Sequence, residues 1–238
     1  MKILGIETSG EVAGVALAEQ GEIVAERSFT ARMTLNQRLA PEIAGILGTM
    51  PHAAGLDGIA AGIGPGSFTG VRMGVAVAKA LAHALSLPLA GISAPEAIVA
   101  GLELAAGTGV CVLQEARADE VYATTLIVED DGFGRELAPT RVLTLPRVLR
   151  NAEELLGGAP DLFAGDAVGS LVGQIASVFT DAEFAPEQRA RPTASQIARM
   201  AAVRSDRLDN DATFSLTPRY VRVSQAERQF GVDLGLRG

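Results

Sequence analysis

The chain has 238 residues, 48% hydrophobic and 20% charged, which excludes wholesale disorder and suits one domain or two small lobes. A formal net charge of −8 excludes the broad basic footprint of a protein that grips nucleic acid on its own. The single cysteine, Cys111, excludes an intrachain disulfide and a Cys-based zinc cluster, and its apolar run Val110-Cys111-Val112-Leu113 reads as a small buried hydrophobe.

Along the chain, residues 1–6 meet Glu7 before an apolar core of useful length forms, so the start does not read as a signal peptide. Strands are expected over 3–8, 12–17 and 23–29, with Glu7-Thr8-Ser9-Gly10 as a polar tip between the first two. Leu35, Leu39, Ile43, Ile46 and Leu47 recur at helical spacing, with Thr34 or Asn36 as cap and Pro41 in the first turns, where proline is tolerated. A short strand over 59–63 then leads through a glycine-rich turn into a helix over 70–86. The most apolar stretch, 71–87, is interrupted by Arg72, Lys79 and His83 and stops at Pro88, too short to span a bilayer. A cytoplasmic protein with no membrane partner is expected.

The second half repeats the order. Strands are expected over 110–113 and 121–128, and 137–143 is a candidate third. A helix over 146–156 starts at a proline and ends at Gly157-Gly158, a short strand covers 162–164, and a helix covers 169–178. A further helix over 193–204 carries Thr193 as cap and Gln196 three residues on, a capping box. Two lobes of one β-β-β-α-β-α order suggest a duplicated α/β unit, the actin-like architecture of the sugar-kinase and Hsp70 ATPase superfamily. The lobes are expected over 1–107 and 108–224, with a mobile tail over 225–238.

Two stretches invite a chemical reading. In an actin-like lobe the tip Glu7-Thr8-Ser9-Gly10 faces nucleotide phosphates, and its hydroxyls and N–H groups suit an anion; an ordinary turn explains it too. Gly64-Pro65-Gly66-Ser67-Phe68-Thr69-Gly70-Val71-Arg72-Met73-Gly74 is neither a Walker A loop nor a dinucleotide fingerprint. It is a strand–turn–helix junction where Ser67 or Thr69 can cap the helix and free N–H groups suit an anion. The helix that follows alternates small and large apolar residues nearly all round, which requires cover on more than one side: burial within the monomer or a subunit interface. His52 and His83 form no metal-binding pair, and no catalytic triad can be drawn.

Ile6-Glu7-Thr8-Ser9, Gln37-Arg38-Leu39-Ala40-Pro41, the glycine-rich block 64–74, Ala116-Arg117-Ala118-Asp119-Glu120-Val121-Tyr122 and Pro218-Arg219-Tyr220-Val221-Arg222 occur in an order that resembles the TsaB (YeaZ) family over nearly the whole chain. The resemblance implies a degenerate actin-like fold without catalysis or metal of its own. It implies a subunit that supports a TsaD-like catalytic paralogue in making N6-threonylcarbamoyladenosine (t6A) in tRNA, alongside a TsaE-like P-loop ATPase. It places the partner surface on first-lobe helices, here at Arg38, Leu39, Ile43, Arg72, Met73, Val77 and Leu81, which a homodimer would share. The candidate anion or nucleotide contacts are Thr8, Ser9, Gly64, Gly66, Ser67, Thr69 and Gly70. No cofactor is required by the chain itself, with ATP or ADP a candidate at the complex interface, and tRNA is reached only through the complex. The chain departs from the family pattern at Glu7 and Glu115, where Asp is usual, and at Leu35-Asn36, where His-Ser is usual. Rival readings are an active small-molecule kinase of the same fold, a metallopeptidase, and RNA binding by the arginine-rich segment 189–222.

Overall fold

The computed structural model describes residues 1–31, 33–48 and 55–221; the expected tail 225–238, His52 and Arg222 lie outside the described residues. The chain forms two compact units, Met1–Ala97 with Pro192–Pro218, and Ile98–Arg191 continued from Arg219. The first unit begins β1 (Lys2–Glu7), β2 (Val12–Glu19), β3 (Glu22–Thr30), α1 (Leu35–Leu47), β4 (Gly58–Gly62), α2 (Phe68–Leu85), β5 (Leu89–Ile92), and passes into the second within α3 (Ala94–Ala100). The second holds β6 (Gly109–Glu115), β7 (Glu120–Val128), β8 (Gly134–Glu136), β9 (Arg141–Thr144), α4 (Leu145–Leu156), β10 (Leu162–Ala164), α5 (Val168–Ala176) and β11 (Glu183–Phe184). The chain then returns to the first unit with α6 (Ala194–Val203) and α7 (Ala212–Ser215).

The first sheet runs β3-β2-β1-β4-β5. Antiparallel hairpins join β1, β2 and β3, while β4 and β5 add in parallel after helical crossovers, as parallel pairing requires. The registers Leu4↔Leu17, Leu4↔Ile59, Ile6↔Val15 and Ile6↔Ala61 place these side chains on one face, where α1 and α2 bury them. Neighbouring positions point to the other face, which carries Gly5, Gly14, Ala16 and Ala18 and is covered by α6 through Ala194 and Ala198. With both faces covered, the central strands are apolar at nearly every position rather than alternating.

The unit boundaries differ from those expected. The division falls at Ala97/Ile98 instead of at 107/108, and 192–218 belongs to the first unit instead of the second. Steric fit explains the return: a Cβ on Gly5 would lie 2.5 Å from the Ala194 carbonyl oxygen, so β1 and α6 meet backbone to backbone. The start of α6 carries the predicted capping box, with Gln196 N–H donating to Thr193 Oγ1 at 3.3 Å and Thr193 N–H donating to Gln196 Oε1 at 2.7 Å.

The second sheet runs β11-β10-β6-β7-β8, with β9 also on β7. With β6 in the place of β1 and β10 in the place of β4, this is the order and strand polarity of the first sheet, which establishes the duplicated actin-like α/β fold. Cys111 and Leu113 face α4 and α5, while Val110 and Val112 pack with Ile98, Val99 and Leu102 on the other side. Cys111 is fully buried, and burial pushes its thiol up to about 12. A thiol reagent is therefore expected to find no reactive group in the native protein at mildly alkaline pH and one equivalent after denaturation; prompt native-state labelling would contradict this core placement.

Candidate functional site

The glycine-rich block is shaped by contact with the tip between β1 and β2. A Cβ on Gly66 would lie 2.5 Å from the Ser9 carbonyl oxygen, on Gly70 2.1 Å from the Thr8 carbonyl oxygen, and on Gly74 2.1 Å from Thr8 Oγ1. Gly70 and Gly74, four residues apart in α2, form one bare strip along the helix, and Gly66 in the turn before it leaves room as well, so that Thr8 and Ser9 lie against the junction. Polar groups of the tip are engaged in the same contact. Thr8 Oγ1 donates to the Gly70 carbonyl at 2.8 Å, Ser67 N–H donates to the Ser9 carbonyl at 2.7 Å, and Ser67 caps α2 by accepting from Gly70 N–H at 3.3 Å. Gly64 holds a φ of +86°, where a side chain is strained, and its carbonyl accepts from Ala94 N–H. Of the seven candidate anion residues, Thr8, Ser9, Gly64 and Gly70 are buried, while Gly66, Ser67 and Thr69 are exposed. The structure brings six of these residues into one packed junction and leaves Thr69 on the surface.

Glu7 is sealed beside this junction. It is 1% exposed; one carboxyl oxygen accepts from Ser9 N–H, and the other lies against Gly62 with no hydrogen-bond partner. Burial pushes the Glu7 carboxyl above its ordinary value of 4.5, and the hydrogen bonds from Ser9 and Thr8 only partly oppose this. The folded state thus holds this proton more tightly than the unfolded chain. The associated stability is fully present below pH 4.5 and is lost as pH rises toward the folded value. Urea unfolding of wild type and Glu7→Gln should diverge above that pH, the variant gaining by up to about 1.4 kcal/mol per pH unit until the folded value is passed. Parallel stability curves across the acid-to-neutral range would show that the carboxyl is not sealed.

The same face of the first sheet carries α1 over β2 and β3 and α2 over β1, β4 and β5. Leu39 and Ile43, expected at a partner surface, are 2% and 4% exposed in the core of the unit itself, so they are corrected to core residues. The helical period explains this: Leu35, Leu39, Ile43 and Ile46 form the inward stripe, leaving Arg38, Ala40, Pro41 and Ala44 exposed. On α2, Met73, Val77 and Leu81 are half-buried and flank an exposed line of Arg72, Ala76, Ala80 and Ala84. Both arginines are held over rings, Arg38 at 4.8 Å from the Phe29 centroid and Arg72 at 3.7 Å from that of Phe68. The Arg38 guanidinium, helped by Arg27, holds the Glu42 carboxyl below its ordinary range. The outward face of α1 and α2 is therefore smooth and apolar, with its arginine side chains fixed in place.

A family model described as TsaD, tRNA N6-adenosine threonylcarbamoyltransferase, matches residues 30–229. The protein named tRNA threonylcarbamoyladenosine biosynthesis protein TsaB from Escherichia coli (strain K12) is 33% identical over 162 residues, covering 66% of this chain and 68% of that protein. The chain belongs to the TsaB (YeaZ) family. The Bacillus subtilis (strain 168) TsaB is 28% identical over 234 residues, covering 97% of this chain and 98% of the relative. The solved structure of YeaZ from Pseudomonas aeruginosa superposes with a TM-score of 0.66 at 26% identity, covering 92% of this chain and 99% of that one.

Of the departures from the TsaB pattern, Glu7 and Leu35 are buried, whereas Asn36 and Glu115 are exposed. Leu35 is 8% exposed and packs in the first core, so the residue in place of the usual His does not lie on the outward face. Glu115 ends β6, where its N–H donates to Asp166 at 2.8 Å. Among the described residues no three His, Cys, Asp or Glu side chains gather to hold a metal ion, and no helix is long and apolar enough to cross a membrane. Four arginines of the arginine-rich segment meet acids: Arg189 with Glu103, Arg191 with Glu187, Arg207 with Glu96 and Arg219 with Glu136. Ser93-Ala94-Pro95-Glu96 forms a second capping box, legible in the sequence: the Glu96 carboxylate accepts from Ser93 N–H and Oγ, and Ser93 Oγ accepts from Glu96 N–H.

Proposed function

We propose that this chain is a non-catalytic scaffold of t6A biosynthesis that docks a TsaD-like catalytic subunit and holds it in its active conformation. The observation that carries the proposal is the outward face of α1 and α2, where Ala76, Ala80 and Ala84 lie exposed beside the half-buried Met73, Val77 and Leu81. Small residues in such a line let a partner helix approach closely and bury apolar surface. Arg38 and Arg72, each held over a ring, fix the polar rim with little side-chain entropy left to lose. The names of the TsaB relatives support the pathway, and the match to the TsaD family model supports a partner of the same fold.

The absence of catalysis is supported by the chemistry of the tip. Glu7 is sealed with a raised pKa, and the Thr8 hydroxyl donates within the fold. A kinase reading needs a carboxylate base at that junction, and Glu7 offers none to solvent. In this reading the chain needs no cofactor, ATP or ADP belongs to the complex interface, tRNA arrives through the complex, a TsaE-like ATPase joins it, and a second copy of the chain can occupy the docking face when the partner is absent.

The test is reconstitution with a TsaD-like subunit and its companions, omitting one component at a time. Transfer of the threonylcarbamoyl group to tRNA should disappear without this chain and be absent with this chain alone. Transfer by the isolated chain, or undiminished transfer in its absence, would overturn the proposal.

A further inference from the structure

The segment that returns to the first unit leaves one aromatic ring in water. Phe214, in α7, is 76% exposed, although the backbone that carries it is held at both ends. Before α7, Asp209 pairs with Leu89 of β5: Leu89 N–H donates to the Asp209 carbonyl at 3.0 Å, and Asp209 N–H donates back at 3.1 Å. Within α7, Ala212 is buried in the first core. At its end, Lys79 of α2 donates to the carbonyls of Phe214 at 3.2 Å and Leu216 at 3.0 Å. Leu216 in turn lies so close on β5 that a Cβ at Gly91 would stand 2.6 Å from it. His83, one turn on from Lys79, meets the Phe214 ring edge to face with 6.0 Å between centroids.

A ring presented on a pinned backbone has little freedom left to lose on binding, the property of an anchor residue in an interface. Its position points to one interface. In the sheet order β3-β2-β1-β4-β5, α1 covers β2 and β3, while α7 lies on β5 at the other edge and against α2. The two helices therefore stand on opposite sides of α2, and the exposed line of Ala76, Ala80 and Ala84 runs between them. His83, exposed beside Ala84, joins that line to the Phe214 ring. A stable pair buries roughly 800 Å² on each side. Alanines supply little of this, whereas one phenylalanine ring brings about 150–250 Å². Resting on the docking role above, we propose that Phe214 anchors the same interface. Its ring enters an apolar pocket of the TsaD-like subunit, beside the helix that lies along Ala76, Ala80 and Ala84. The docking face then spans α1, α2 and α7, and the Lys79 bonds keep its third element in place.

The test is calorimetric titration of the full chain carrying Phe214→Ala with the TsaD-like subunit, with Ala80→Glu as the comparison. Phe214→Ala should weaken pairing roughly 30-fold, the scale of an interface hot spot, and leave the melting temperature of the isolated chain unchanged. Phe214→Leu should restore most of the affinity, because the contact is apolar. A photo-reactive benzoylphenylalanine in place of Phe214 should cross-link to the TsaD-like subunit, and Ala80→Glu should abolish that cross-link. Full affinity in Phe214→Ala, while Ala80→Glu breaks the pair, would overturn the inference and leave the docking role standing. Full affinity in both variants would overturn the inference and the docking face together. Loss in Phe214→Ala alone would overturn it too, by placing the ring in a different contact. So would a cross-link confined to this chain or to a second copy of it, since the ring would then be covered without the partner.

Discussion

Gly70→Ala is expected to lower the melting temperature by roughly 10 °C, corresponding to about 3 kcal/mol for a chain of this size. Helix propensity alone predicts the opposite sign, since alanine in a helix gains up to about 1 kcal/mol over glycine. The difference lies in what the new methyl meets. At Gly70 it lies 2.1 Å from the Thr8 backbone oxygen, which cannot move without displacing the end of β1 or the start of α2. Gly74→Ala gives a contrast, because its methyl meets the Thr8 hydroxyl at 2.1 Å and Thr8 Cβ only at 3.3 Å. Thr8→Ala should therefore rescue much of the Gly74→Ala loss and little of the Gly70→Ala loss, measured as a double-mutant cycle by urea unfolding. If Gly70→Ala is neutral or stabilising, the close-packed junction is wrong.

Ala80→Glu separates docking from folding. Ala80 is exposed on α2, so the monomer should unfold within about 0.5 kcal/mol of wild type. In the proposed complex the new carboxylate is buried against an apolar partner without a counter-charge, a change worth about 3–5 kcal/mol, or at least 100-fold in affinity. Sedimentation or calorimetric titration with the TsaD-like subunit measures it. Leu39→Asp does not serve this purpose, because Leu39 belongs to the first core and its loss unfolds the monomer. Retained pairing in Ala80→Glu, with an intact fold, would move the partner surface elsewhere.

Periodicity made most elements legible, because period-2 and period-3.6 patterns are imposed locally. The strand 162–164 and the helix with the Thr193–Gln196 box stand where the residues put them. By contrast β5 and α3 escaped notice: with four and seven residues, nearly all buried, they have too little length to show a polar face. The broken third strand of the second unit was visible only as one candidate strand, since the break between β8 and β9 is defined by pairing across the sheet. The candidate site was legible as motifs but not as roles. Leu39 and Ile43 share the α1 sequence with Arg38, and only the rotation of the helix onto its sheet tells inward from outward. Likewise the glycine-rich block leaves a helix cap and an anion contact both open in sequence, and only the fold shows the Thr8 and Ser9 backbone packed against Gly66 and Gly70.

The packing of α6 on β1 and β2 has a consequence for synthesis. As the nascent chain leaves the ribosome, the first five strands and their two long helices emerge well before the segment that closes the back of their sheet. Until Pro192–Pro218 has cleared the exit tunnel, Gly5, Gly14, Ala16 and Ala18 face water across a bare surface. The amino-terminal lobe therefore completes its folding only after the other lobe has been translated, which links the two halves in time as well as in sequence.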